Sequence, residues 1–68
     1  MNKFGKNLKE LRLEMCVSRK ELANKLNVSE RLVAYWESGQ RECNFDTLIA
    51  IADIFSISTD YLLGRTDY

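Results

Sequence analysis

Two capped helices with only three residues between them constrain this 68-residue chain more than anything else in it. Ser18-Arg19-Lys20-Glu21 has the form of a capping box. In that motif the serine oxygen accepts from the backbone N–H three residues on, and the glutamate reaches back to the serine N–H. It opens a helix expected over residues 19–26, with Leu22, Ala23 and Leu26 inward. Asn27 ends this helix, because asparagine tolerates the left-handed conformation that follows a helix. Ser29 caps the next helix, expected over 30–37, and Gly39 stops it. The turn Asn27-Val28-Ser29 is too short for its helices to lie antiparallel without strain, so they must cross steeply. Ala23 is small enough to let the later helix approach closely.

The remainder of the chain also reads as helical. Phe4, Leu8 and Leu11 recur at i, i+4 and i+7, giving a first helix from about residue 2 to 14. Asn44 caps a helix over 45–55 whose apolar face holds Leu48, Ile51, Ala52 and Phe55. Ser58 caps a short fifth helix that stops at Gly64. There is no proline and no internal repeat, and nothing alternates with period two over a useful length. The expected fold is all-α: five short helices in a single domain over residues 1–68, within the usual domain size. A hydrophobic content of 46% and a charged content of 29% suit a globular chain. So short a chain buries only about 60% of its unfolded surface, so modest stability is expected, which self-association would raise.

Several function classes are not expected. There is no apolar run near ~20 residues, hence no membrane span. The N-terminal MNKFGKNLKEL lacks the apolar segment of a signal peptide, which gives the expectation of a cytoplasmic protein. Cys16 and Cys43 lack metal-ligand spacing and the chain has no histidine, so no metal or cofactor is expected and both thiols should be reduced; 68 residues leave no room for an effector domain, so no small-molecule ligand is expected either. Without histidine, an evident pair of catalytic carboxylates or a phosphate-binding loop, an enzyme is not expected. The zero net charge conceals a polarity. Residues 1–41 carry nine basic and five acidic side chains, net +4, whereas residues 42–68 carry Arg65 against five acids, net −4. One end suits a polyanion and the other avoids it.

The helix over 30–37 has two distinct sides. Leu32, Val33 and Trp36 share one, which places Trp36 in the core. Glu30, Arg31, Ala34 and Tyr35 share the other. When two helices meet at such a turn, the second can lie in the DNA major groove with its N-terminal part at base edges. Arg31 can then bond guanine O6 and N7, and Glu30 can accept from cytosine N4. Tyr35 offers a ring to a thymine methyl and a hydroxyl to a base or phosphate. Ser29 sits at a helix N-terminus, a favourable place for a phosphate. The plainer alternative is that Glu30 complements the helix dipole and that Arg31 and Tyr35 are ordinary surface. The helix alone leaves both readings open.

The longer segment SRKELANKLNVSERLVAYWESGQR, residues 18–41, resembles the helix-turn-helix of the lambda-repressor/Cro-like (XRE) family. The matching elements are Ser18, Glu21-Leu22-Ala23, Leu26-Asn27, Val28-Ser29, Trp36-Glu37 and Gly39. FDTLIAIADIFSISTDYLLG is similar to the family's fourth and fifth helices. The resemblance implies a five-helix DNA-binding domain with its helix-turn-helix at about 19–37. It also implies a sequence-specific transcriptional repressor that binds double-stranded DNA as a homodimer on an inverted repeat. By this resemblance Glu30, Arg31, Ala34 and Tyr35 read bases, while Ser18, Arg19, Ser29, Ser38, Gln40 and Arg41 contact the DNA backbone. Arg12 and Glu37 match a structural ion pair joining the first helix to the third. Ile57, Tyr61, Leu62, Leu63 and Tyr68 match a dimer surface, but a domain this small needs some of them for its core, and spacing does not sort one group from the other. Four residues depart from the pattern. Asn27, Cys16 and Ser56 occupy positions where glycine is usual, and Cys43 replaces a usual proline. A left-handed backbone at Cys16 would cost about 1 kcal/mol or more. The alternative function is a protein-interaction module, such as an antitoxin or regulatory subunit, that keeps the fold with weak DNA binding.

Overall fold

Side-chain caps set the helix boundaries in the computed structural model, which describes residues 3–66. The order is α1 (Phe4–Glu14), α2 (Arg19–Leu26), α3 (Glu30–Ser38), α4 (Phe45–Phe55) and α5 (Thr59–Leu63). Ser18 Oγ accepts from Glu21 N at 3.0 Å while Ser18 N donates to Glu21 Oε1 at 3.2 Å, completing the capping box. Ser29 Oγ, Asn44 Oδ1 and Ser58 Oγ each accept from the backbone N–H three residues on, at 3.1, 2.7 and 3.0 Å. Lys3 precedes α1 without a side-chain cap. Asn2, where that helix was expected to begin, lies outside the described residues. Glu37 is not the last residue of α3, which runs on to Ser38 because the left-handed cap is at Gly39.

The backbone is left-handed at three non-glycine residues: Cys16 (φ 57°), Asn27 (φ 58°) and Ser56 (φ 55°). These are the positions where the family pattern has glycine. At Asn27 and Ser56 the reversed backbone ends α2 and α4, and the next N–H turns back to a helix carbonyl. Val28 N donates to Ala23 O at 2.9 Å and Ile57 N to Ala52 O at 3.0 Å. Each helix therefore stops sharply, which keeps the connections short.

The core draws on every helix. Phe4, Leu8, Leu11, Leu22, Ala23, Val33, Trp36, Ile51, Ala52, Phe55 and Leu62 are buried together. Trp36 meets Phe4 edge to face, with ring centroids 6.4 Å apart. Gly5 lets α1 approach α3, since a Cβ there would collide with the Trp36 carbonyl oxygen. Asn7 Nδ2 donates to Tyr61 O at 2.9 Å and ties α1 to α5. Leu26 and Leu48, expected inward, are only partly buried at the edge of the core. Leu62 is 0% exposed, so its assignment to a dimer surface is corrected: it belongs to the core and presents nothing to a partner. Among the described residues no helix is long and apolar enough to cross a membrane.

Candidate nucleic-acid interface

The turn that joins α2 to α3 is tightly built. Asn27 N donates to Asn24 O at 3.2 Å, and Val28 packs against the core from a half-buried position. Ser29 then starts α3 with its N-terminus in solvent. Val33 and Trp36 anchor one side of α3 in the core, at 0% and 3% exposure. Their burial fixes the rotation of the helix and hence what the other side shows. Glu30 and Arg31 are exposed in its first turn, and Ala34 and Tyr35 are half-buried beside them.

Ser29, Arg31, Leu32, Tyr35 and Arg41 line a shallow concavity of about 340 Å³ on this side. The Arg41 guanidinium lies over the Tyr35 ring, 5.1 Å from its centroid, a cation–π contact that steadies both groups. Ser38 Oγ, Gln40 N and Arg41 N all donate to the Tyr35 carbonyl, at 3.1, 3.0 and 3.3 Å. The segment after α3 thus folds against Tyr35 and brings Arg41 back beside Arg31. Leu32 packs against the core from the apolar side of α3, as expected, and its exposed part also lines this concavity. Neither that lining nor the stacking of Arg41 on Tyr35 follows from helix periodicity, because the loop's return path is not a periodic feature.

Behind this surface, three charged side chains join α1, α2 and α3. Arg12 Nε donates to Glu37 Oε2 at 2.7 Å and Arg12 Nη2 to Oε1 at 3.2 Å. Arg12 Nη1 also donates to Val17 O at 3.1 Å. Arg19 Nε reaches Glu37 Oε1 at 3.0 Å. The Arg12 and Glu37 side chains are 9% and 3% exposed, whereas Arg19 is 45% exposed. Burial alone would raise the Glu37 carboxyl, but hydrogen bonds and charge from Arg12 and Arg19 outweigh it and hold the group below its ordinary range. The bond from Arg19, a residue expected at the DNA backbone, to Glu37 spans 18 positions and has no local signal in the sequence.

Among the expected backbone-contacting residues, Ser18, Arg19, Ser29, Ser38, Gln40 and Arg41 are all exposed. They lie at the N-termini of α2 and α3 and at and just after the C-terminus of α3, around its outward side. Of the expected dimer residues, Ile57, Tyr61 and Leu63 are partly buried against the core, and Tyr68 lies outside the described residues. The large apolar side chains most exposed among the described residues are elsewhere: Phe45 at 83% and Ile49 at 52% on α4, with Leu13 and Met15 at the end of α1.

A helix-turn-helix family model matches residues 8–62. The chain is 38% identical over 64 residues to the HTH-type transcriptional regulator ImmR of Bacillus subtilis (strain 168), covering 94% of this chain and 50% of that protein. It therefore spans about half the length of that relative. Its fold is similar to a transcriptional regulator from Listeria innocua, with a TM-score of 0.91 and 35% identity over 97% of this chain and 62% of that one. It is also similar to the P22 c2 repressor protein in complex with a synthetic operator, with a TM-score of 0.85 and 25% identity, covering 93% and 96% of the two chains.

Proposed function

The chain belongs to the helix-turn-helix family of lambda-repressor/Cro type, and on that premise we propose that it is a cytoplasmic, sequence-specific DNA-binding regulator of transcription that represses by occluding its site. One observation carries the reading. Val33 and Trp36 lock α3 into the core, so that Glu30, Arg31, Ala34 and Tyr35 share its outward side, where Arg31 and Tyr35 line a concavity together with Arg41. Arg31 reads a guanine and Glu30 a cytosine amino group. Tyr35, held by Arg41, meets a thymine methyl. Ser18, Arg19, Ser29, Ser38, Gln40 and Arg41 fix the register on phosphates without reading sequence. The described residues span only 28 × 23 × 21 Å. One copy cannot bridge two half-sites about 34 Å apart, so a homodimer reads an inverted repeat. The alternative of an interaction module with weak DNA binding gains no support from the relatives, which are regulators.

The test is binding-site selection from random duplex DNA at physiological salt, with the wild type and Arg31→Ala. The expected result is an inverted repeat whose guanine preference relaxes at one position per half-site in the variant. Absence of enrichment, or weak binding that the substitution leaves unchanged, would refute direct readout by α3.

A further inference from the structure

We infer that Glu37 is a positioning residue for DNA binding: it holds Arg19 by one edge and leaves the rest of the guanidinium set for a backbone phosphate. The inference rests on the DNA-binding reading above and deepens it. Both Glu37 oxygens are engaged, Oε2 by Arg12 and Oε1 by Arg12 and Arg19 together. Arg12 and Glu37 neutralise one another in a nearly dry setting, and Arg12 spends a third donor on Val17 O. Arg19 is therefore the surplus positive charge of the cluster, and it is the member that reaches solvent.

An arginine carries five N–H donors in a fixed planar fork. Arg19 spends its Nε–H on Glu37, which leaves both terminal nitrogens for an anion. A flexible arginine loses side-chain entropy when it grips a phosphate. Arg19 has already lost part of it, because Glu37 anchors the fork. The anchor also belongs to α3, whereas Arg19 begins α2. The phosphate grip of α2 is thus fixed in register with the base-reading side of α3. Lysine at position 19 would keep the charge but not the planar fork, since an ammonium is a compact point charge.

The experiment measures binding to a mixed-sequence duplex against salt concentration for the wild type, Arg19→Met, Arg19→Lys, Glu37→Gln and the Arg19→Met/Glu37→Gln double variant. Circular dichroism confirms folding of each. Arg19→Met should lower the slope of log affinity against log salt by about 0.9, the value for one lost phosphate contact. Affinity should fall about tenfold, as for one charge-assisted bond. The double variant should lose less than the product of the single effects, by a factor of about three or more, the coupling of side chains in contact. An unchanged slope in Arg19→Met, or single effects that simply multiply, would overturn the inference. So would tighter binding by Glu37→Gln, which would mean that the carboxylate withholds Arg19 from DNA. If Glu37→Gln does not fold, Arg19→Lys decides: a retained slope with affinity several-fold weaker supports positioning, and wild-type affinity refutes it. Failure of the wild type to bind at any salt would instead overturn the DNA-binding reading along with the inference.

Discussion

Replacing Arg12 by methionine should remove a large part of this protein's stability, and the structure sets the size. The side chain makes three bonds, two to Glu37 and one to the Val17 carbonyl, and is only 9% exposed. Removing one partner of a buried ion pair costs about 3–5 kcal/mol, because the other charge stays buried. Arg19 remains at 3.0 Å from Glu37, so the carboxylate is not abandoned, and the expected loss is at the lower end, about 3 kcal/mol. A domain of this length has roughly 3–10 kcal/mol in total, at about 0.05–0.15 kcal/mol per residue. Each kcal/mol moves the melting temperature of a small domain by about 4–8 °C, so the fall should be about 12–24 °C in a thermal melt followed by circular dichroism. Arg19→Met is the internal comparison. It removes a bond to the same carboxylate from a side chain 45% exposed, where ion pairs are worth about 0–1 kcal/mol. A drop below about 4 °C for Arg12→Met, or equal drops for the two variants, would refute the argument that burial makes the Arg12 pair structural.

Three further outcomes follow from the geometry. Because Glu37 titrates below its ordinary range in the fold, its contribution is complete above about pH 4.3 and is lost as pH falls through that value and the lower folded one. The stability gap between wild type and Arg12→Met should therefore shrink below about pH 4.3 in urea titrations, and a constant gap would contradict the assignment. Gly5→Ala should destabilise by about 1–3 kcal/mol, since the new methyl meets the Trp36 carbonyl and lies 3.0 Å from the Glu37 carbonyl. A neutral result in urea unfolding would mean that α1 and α3 can separate freely. Cys16→Gly should stabilise by about 1 kcal/mol, because Cys16 is exposed and left-handed at φ 57°. No rise in melting temperature would mean that the thiol side chain offsets the backbone strain.

The sequence by itself determined the helices, because their signals act over three or four residues. Ser18, Ser29, Asn44 and Ser58 cap them, and Asn27, Gly39 and Gly64 end them, all within reach of neighbouring backbone. The same local periodicity places Val33 and Trp36 inside and Glu30 and Arg31 outside, so the outward side of α3 is legible in the sequence. What only the tertiary structure decided depends on residues far apart in the chain. Periodicity could not sort the fifth-helix side chains, and tertiary packing buried Leu62 completely. Phe45 shares an apolar spacing with Leu48, yet it begins α4 beyond the reach of the core and stays 83% exposed. Arg19 was legible as a charge at the start of α2, but its bond to Glu37 exists only because α2 and α3 cross. Local chemistry writes helices and their faces. Which charges meet, and which apolar side chains find cover, is settled by long-range packing, which one-dimensional spacing does not encode.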